Sequence, residues 1–399
     1  MLTPAEADTA IAAALVQVAA EELPLSACAG RVLRREVRAE RDAPPFDRVT
    51  MDGIAIAGTP ADGARRSFRI AGVQAAGTPP LTLRSADECL EVMTGAMLPA
   101  GCDTVVPFER IHVADRQATI EPGYLPVPWL HVHRRASDAS AGEVLLTAGT
   151  RLGAPEIVIA ASAGLPRLSV SCRPGIAVIS TGDELVEPGL PLRDYQVRRS
   201  NSYGLAAALA LAGHAPGTDL HLTDDKDELQ RSLARELDRH DVLVLSGGVS
   251  AGRFDHVPAA LAALGVQQVF HQVAQRPGRP LWFGTRAPGK LVFALPGNPV
   301  SVLVCLSRYV VPALAALSGA RPSPPWTVAL ARPFELQAPL TCFLPVTLRY
   351  DQDGRTLAEP RPTRGSGDFI SLAGTDGFVE LPPGPASHPM GLAVPFHRW

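Results

Sequence analysis

The chain has 399 residues, of which 46% are hydrophobic and 19% charged, which excludes a disordered polyampholyte and predicts two to four domains at roughly 100–200 residues each. Its formal net charge is -3 and its pI about 6.4, so it lacks a basic field for general nucleic-acid binding. No apolar run is read as approaching the roughly 18 residues of a membrane span, and the opening MLTPAEADTA is acidic and polar, unlike a signal peptide.

The first 40 residues read as helical: Thr3 is a candidate N-cap, Pro4 sits in the first turn, and Ala, Leu, Ile and Val crowd the run to Glu22. From Asp42 to about Pro128, proline and glycine separate short apolar runs at 54–57, 68–73, 89–93, 104–107 and 118–120, the pattern of a small all-β module. Polar connections lead to a predicted helix over 155–164. From Arg173 the rhythm changes. Strands are predicted at 176–180, 242–245, 266–273 and 291–295, and helices at 201–211, 225–239, 257–264 and 299–317. This alternation predicts a doubly wound, mainly parallel sheet, which binds ligands beyond the carboxyl ends of its strands. From Ala320 onward, β-like runs at 327–330, 346–350, 378–381 and 391–396 predict a small barrel or sandwich. The cysteines Cys28, Cys89, Cys102, Cys172, Cys305 and Cys342 form no CxxC pair, so neither a disulfide scaffold nor a zinc site is expected, and the expected location is a reducing cytoplasm.

Three loops follow predicted strands of the α/β region: Ser180-Thr181-Gly182-Asp183-Glu184, Ser246-Gly247-Gly248-Val249-Ser250-Ala251-Gly252, and Pro296-Gly297-Asn298-Pro299-Val300-Ser301, which opens the long helix. Glycine lets backbone amides approach an anion, serine and threonine add hydroxyl donors, and a following helix adds the positive end of its dipole. One such loop is often only a tight turn; three on one sheet edge predict a phosphate-bearing ligand. The chain has no Walker A pattern, no GxGxxG followed by an acid and no GxSxG elbow. That argues against a P-loop ATPase, a nicotinamide dehydrogenase and an α/β hydrolase.

Asp183 and Glu184 lie in the first loop, Asp224 and Asp225 precede a helix, and Asp255 follows the second loop. Asp224, Asp225 and Asp255 read equally as helix N-caps or as oxygen ligands to Mg²⁺ on a phosphate substrate. Arg276 and Arg279 flank a Pro-Gly turn. They either converge on a tetrahedral oxyanion or stand as two surface arginines in a chain with 35 arginines and two lysines.

Pro44-Pro45-Phe46-Asp47-Arg48-Val49-Thr50-Met51-Asp52-Gly53 resembles the PPFDxSxMDGYA signature of the MoeA family, the molybdopterin molybdenumtransferases and the related C-terminal domain of gephyrin. The similarity continues through Met93-Thr94-Gly95-Ala96, the STGDEL, SGGVSAG and LPGNPVS stretches, the PG-basic-P turn, Gly365-Ser366-Gly367 and Ser371-Leu372. The resemblance implies an α/β plus β multidomain protein. Its parts would be a helical discontinuous domain (1–41 and 134–172), a small β module (42–133), a doubly wound molybdopterin-binding α/β domain (173–319) and a C-terminal β-barrel (320–399). It also implies a homodimer with a cleft built from both subunits. The implied reaction joins molybdate to adenylylated molybdopterin with release of AMP, aided by Mg²⁺. A molybdopterin adenylyltransferase and molybdoenzyme clients are the implied protein partners.

By the resemblance, Asp255, Glu184, Asp52 and Ser250 are the catalytic candidates, with Asp52 and Thr94 reaching the partner's cleft. Asp138, Ser301 and Ser366 are carried over as substrate-binding positions. They join Thr181, Gly182, Ser246, Gly247, Gly248, Pro296, Gly297 and Asn298 of the loops, and Arg276 and Arg279. Glu184, Asp255 and Asp224 are the metal candidates.

The chain departs from the family pattern at several places. The family's turn lysines are Arg276 and Arg279, its DSN reads Arg199-Ser200-Asn201, an expected acid is Arg253, and the barrel's Phe-x-Arg reads Phe343-Leu344-Pro345. Proline cannot donate to an anion. Arg364, just before Gly365, is therefore expected either to replace the lost arginine or to be a solvated loop residue. These departures motivate one alternative, a weakly active or non-catalytic paralogue that binds molybdopterin, molybdenum cofactor or a client enzyme. A second alternative is a molybdopterin adenylyltransferase, which resembles the α/β domain alone.

Overall fold

Uninterrupted apolar runs form strands buried on both faces, and three of them make the middle of the α/β unit. In the computed structural model, which describes residues 1–59, 66–248, 256–336, 339–384 and 387–399, Ile176–Thr181, Val242–Ser246 and Lys290–Leu295 lie parallel and adjacent. Thr218–Leu222 runs parallel on the outer side of the first. Successive residues point to opposite faces. Ile176 and Val178 therefore join a core with Ala7, Ile11, Leu205, Leu209 and Leu314, while Ala177 and Ile179 join a second with Leu229, Leu233, Leu237 and Leu261. Each buried leucine contributes about 1.5–3 kcal/mol, and helices cover both faces of the sheet, as expected.

Two further strands, Gln267–His271 and Trp282–Arg286, extend the sheet in antiparallel fashion. The second was not expected, because Gly284 interrupts its apolar pattern. Glycine is needed there: a Cβ would lie 2.4 Å from the Trp282 ring and 2.7 Å from the Gln267 carbonyl. The edge strand Thr218–Leu222 also escaped notice, being mostly half-exposed and polar. Asp225 is the N-cap of Lys226–Arg239, accepting the Glu228 N–H at 2.7 Å, so the capping reading holds for that residue.

The helix expected over 299–317 is continuous but contains a π turn, Leu306–Val310, between Pro299–Cys305 and Val311–Leu317. Pro312 has no N–H to offer the preceding turn, and widening relieves its ring's clash there. The span is long and apolar enough to cross a membrane, contrary to the expectation that no run approached that length. Arg308 had hidden it by breaking the apolar run. Most of the span is buried in the core, and Arg308 is ion-paired with Asp8 and Glu380.

The first 40 residues are not helical throughout. The helix Pro4–Ala14 opens with a capping box between Thr3 and Glu6 and stops at Leu15. Ala20–Pro24 then pairs antiparallel with Arg167–Ser171, and Val37–Arg38 with Val144–Leu146. Tertiary pairing overrides the helical propensity of that stretch. The β module is a six-stranded sheet in the order Thr104–Pro107, Gly53–Ile56, Glu88–Val92, Ser67–Gln74, Gln117–Ile120, Ile111–Ala114. Gly53 of the Met-Asp-Gly motif is required by packing, since a Cβ would sit 2.0 Å from the Val106 carbonyl oxygen.

Near the C-terminus five strands close a barrel: Thr341–Tyr350, Thr356–Pro360, Trp326–Leu330, Ala393–Arg398 and Gly377–Leu381, which returns to Thr341–Tyr350. The first of these starts earlier than expected because Pro345 masked it. Pro345 sits where the ladder to Thr356–Pro360 ends; its carbonyl still accepts the Arg361 N–H at 2.8 Å, and it stays in register with Phe378 on its other side. Gln275–Arg276 pairs in parallel with Thr341–Cys342 and joins the α/β unit to the barrel.

Candidate functional site

The parallel registers set Ser180 beside Ser246 and Ser246 beside Leu295, so the three loops leave the sheet at one level. They open onto a cleft of about 1590 Å³ between the sheet edge and the barrel. Of the candidate site residues, Thr181, Glu184, Ser246, Gly247, Arg276, Arg279, Pro296, Gly297, Asn298, Ser301 and Ser366 line it. Gly247 has φ +96°, and a Cβ on it would lie 2.8 Å from the Thr181 carbonyl oxygen. That close approach leaves the Thr181 hydroxyl buried and without a partner among the described residues. Asn201 donates to the Ser246 hydroxyl at 2.9 Å and to the Gly297 carbonyl at 2.7 Å, locking the second loop to the third. Across the cleft, Asn298 donates to the Ser366 hydroxyl at 2.8 Å, and the Val300 N–H donates to the Ser366 carbonyl at 3.1 Å.

Arg276 and Arg279 are exposed within the cleft, and neither pairs with a carboxylate among the described residues. An arginine held without a counter-charge beside hydroxyl and amide donors suits an anion, and bidentate guanidinium geometry suits an oxyanion. Burial pushes the Cys342 thiol in the same wall up to about 11, so it stays protonated.

Other expected residues fall elsewhere. Asp224 does not line the cleft; its N–H donates to Asp183 Oδ1 at 3.1 Å, which turns that residue into the start of the next helix. Gly182 and Gly248 shape their loops behind the lining, at φ +136° and +70°. Arg364 is exposed and outside the lining, although Thr363 and Gly365 belong to it. Its N–H donates to Asp368 Oδ2 at 3.0 Å, the main reason that carboxyl sits below its usual range. Arg364 is thus not among the residues that line the cleft, while Pro345 is. Ser250 and Asp255 lie outside the described residues.

Asp52, Thr94 and Asp138 stand on the surface away from the cleft of their own chain. Asp52 Oδ1 accepts the Thr94 N–H at 2.6 Å and the Thr94 hydroxyl at 2.8 Å. The backbone donor first, and then the hydroxyl, hold the Asp52 carboxyl below its usual range. Asp138 bonds His133 Nε2 at 2.7 Å, and Arg48 meets the other ring nitrogen at 2.9 Å.

Sequence reasoning missed Arg199, Asn201 and Gln275 as cleft residues. Asn201 was available as the end of Arg199-Ser200-Asn201. Arg199 is buried and pairs with both Glu187 and Asp219, so the exchange of an acid for a base is balanced inside the wall. Among the described residues no group of three or more His, Cys, Asp or Glu converges as a metal site. The described lining holds two carboxylates on different walls, Glu184 of the first loop and Glu335 of the strand Phe334–Glu335. That fits Mg²⁺ arriving with substrate phosphates, which supply its other oxygens, and does not fit an all-protein cage.

Family models match successive parts of the chain: the MoeA N-terminal region (domain I and II) over 2–164, a probable molybdopterin binding domain over 177–316, and the MoeA C-terminal region (domain IV) over 327–399. The chain belongs to the MoeA family. A curated MoeA relative from Synechocystis sp., named molybdopterin molybdenumtransferase, is 43% identical over 93% of each chain. One of the same name from Nostoc sp. is 34% identical over 75% of this chain and 70% of its own. A crystal structure of a molybdopterin biosynthesis MoeA protein from Pyrococcus horikosii is 29% identical, with a TM-score of 0.78 over 100% of this chain and 99% of that one. That agreement over the full length extends the MoeA assignment to the whole architecture, barrel included.

Proposed function

We propose that this MoeA protein is a molybdopterin molybdenumtransferase. It inserts molybdenum from molybdate into adenylylated molybdopterin and releases AMP. The observation that carries the reading is the cleft, where three glycine-bearing strand-end loops face a barrel serine and two arginines that pair with no carboxylate among the described residues. The near full-length match to relatives bearing the transferase name supports it.

The residues divide the work. Backbone amides of the Gly247 and Gly297 loops, with the Thr181, Ser246 and Ser301 hydroxyls, hold the phosphates. Arg276 and Arg279 hold molybdate beside them, and the barrel's Ser366 closes the far wall. Bringing two anions together is the hard part of this reaction, and fixed donors make that encounter effectively intramolecular. Glu184, with Asp255, would hold Mg²⁺, which when bound offsets phosphate charge as the pyrophosphate bond breaks. Asp52, Thr94 and Asp138 fit a homodimer in which each subunit's β module completes the other's cleft; sedimentation tests the dimer. The four-domain division at 41, 133, 172 and 319 is part of the same proposal, as is a cytoplasmic location. Incubation with adenylylated molybdopterin and molybdate tests the activity: AMP and molybdenum cofactor should appear together.

A further inference from the structure

Arg276 and Arg279 do not hold themselves in place. Both are exposed, and the turn between them, Pro277-Gly278, packs against a buried polar side chain. That side chain is Gln275, fully buried at the cleft wall. A buried amide must find partners, and leaving one unmade costs more than making it gains. Gln275 donates to the Pro277 carbonyl at 3.2 Å and approaches Cys305 Sγ at 3.6 Å, while its oxygen accepts from the Tyr309 hydroxyl. Cys305 in turn donates to the Gly278 carbonyl at 3.7 Å. The fit allows no side chain at Gly278, where a Cβ would lie 2.5 Å from Cys305 Sγ and 2.7 Å from Gln275 Nε2.

Cys305 and Tyr309 are four residues apart on the long helix, at and within its π turn. That helix begins at the Pro296–Ser301 loop. We infer that Gln275 is a positioning residue, which latches the Arg276–Arg279 turn to the helix behind the third loop and thereby sets the spacing between oxyanion and phosphate sites. Tyr309 is the donor of the pair: burial pushes its phenol well up, so it stays protonated. The Cys305 thiol, pushed up to about 12 by burial, likewise remains a donor. The backbone adds a third anchor, as Gln275 and Arg276 pair with Thr341 and Cys342 of the barrel. The latch therefore sits where sheet, helix and barrel meet. This inference rests on the reading of Arg276 and Arg279 as the oxyanion site.

Steady-state AMP release tests it, with molybdate and adenylylated molybdopterin varied separately. Gln275→Met keeps the volume and removes the hydrogen bonds. It should raise the molybdate KM about 5- to 10-fold, the size of one or two neutral hydrogen bonds, without moving the KM for adenylylated molybdopterin. Tyr309→Phe removes one bond from the other side and should raise the molybdate KM less. The double variant should be no worse than Gln275→Met alone, because both changes break one linkage. If Gln275→Met does not fold, Tyr309→Phe decides. An unchanged molybdate KM, an equal rise in both KM values, or additive effects would overturn the inference. Arg276→Ala separates the two levels. If it raises the molybdate KM while Gln275→Met does not, only the latch is wrong; if Arg276→Ala is silent, the oxyanion reading fails and the latch with it.

Discussion

The Arg308 guanidinium grips both carboxylate oxygens of Asp8, at 2.8 and 2.9 Å, and its Nε reaches Glu380 at 2.8 Å. One side chain in the π turn thus joins the N-terminal helix, the α/β unit and the barrel. Arg308 and Glu380 are largely but not fully buried and the Asp8 side chain is half-exposed, so removing Arg308 leaves Glu380 short of a counter-charge in a partly dry setting. Arg308→Met is expected to cost about 1.5–3 kcal/mol of stability, the size of hydrogen bonds to charged groups. Arg308→Lys should recover only part of it, because an ammonium cannot make the bidentate contact. Thermal unfolding of the three proteins checks the order. Burial pushes the Glu380 carboxyl up, but the His397 hydrogen bond and Arg308 outweigh it and leave it lowered. Its contribution is therefore present above the ordinary carboxylate range and lost as pH falls below it.

His214 makes stability depend on pH in a different window. Both ring nitrogens are buried without a partner among the described residues. Burial first, then the charges of Arg151 and Arg173, push the imidazole from 6.5 down to about 4. The unfolded chain therefore takes up the proton before the folded one. Stability should be full above the ordinary histidine range and decline as pH falls toward 4, by about 2–3 kcal/mol at the slope of roughly 1.4 kcal/mol per pH unit. His214→Leu should flatten that decline. Urea unfolding at pH 7 and pH 4.5 reads it directly; identical pH dependence in the two proteins would contradict it.

Much of this was legible in the sequence, for physical reasons. The strands around Val178, Val244 and Val292 are continuous apolar runs, and the helix holding Leu229, Leu233 and Leu237 repeats at helical spacing. The strand-end glycines marked the cleft because close backbone approach excludes a Cβ. Other features depended on pairing that no local pattern records. Ala20–Pro24 is a strand only because Arg167–Ser171 lies beside it. Gln275 looked like a polar residue before a turn until Tyr309 and Cys305 closed around it. Arg364 lies at a suitable place in the chain but is exposed and outside the cleft lining.

That last placement gives a prediction of its own. Arg364 is exposed and outside the cleft lining, where its N–H and then its charge act on Asp368. Arg364→Ala should leave the molybdate dependence of AMP release unchanged and alter stability by less than about 0.5 kcal/mol, as for other exposed substitutions. A raised molybdate requirement would restore the compensation that the structure speaks against.

The central claim is that the cleft joins molybdate to adenylylated molybdopterin through Arg276 and Arg279. Molybdate-dependent AMP release, measured for the wild-type protein and for the Arg276→Ala/Arg279→Ala variant, tests it most directly. The wild-type protein should release AMP in proportion to molybdenum cofactor formed. The variant should need at least about 10- to 100-fold more molybdate, as expected for loss of a charge-assisted contact contributing roughly 1.5–3 kcal/mol. No AMP from the wild-type protein with both substrates present, or the same molybdate dependence in the two proteins, would contradict the account.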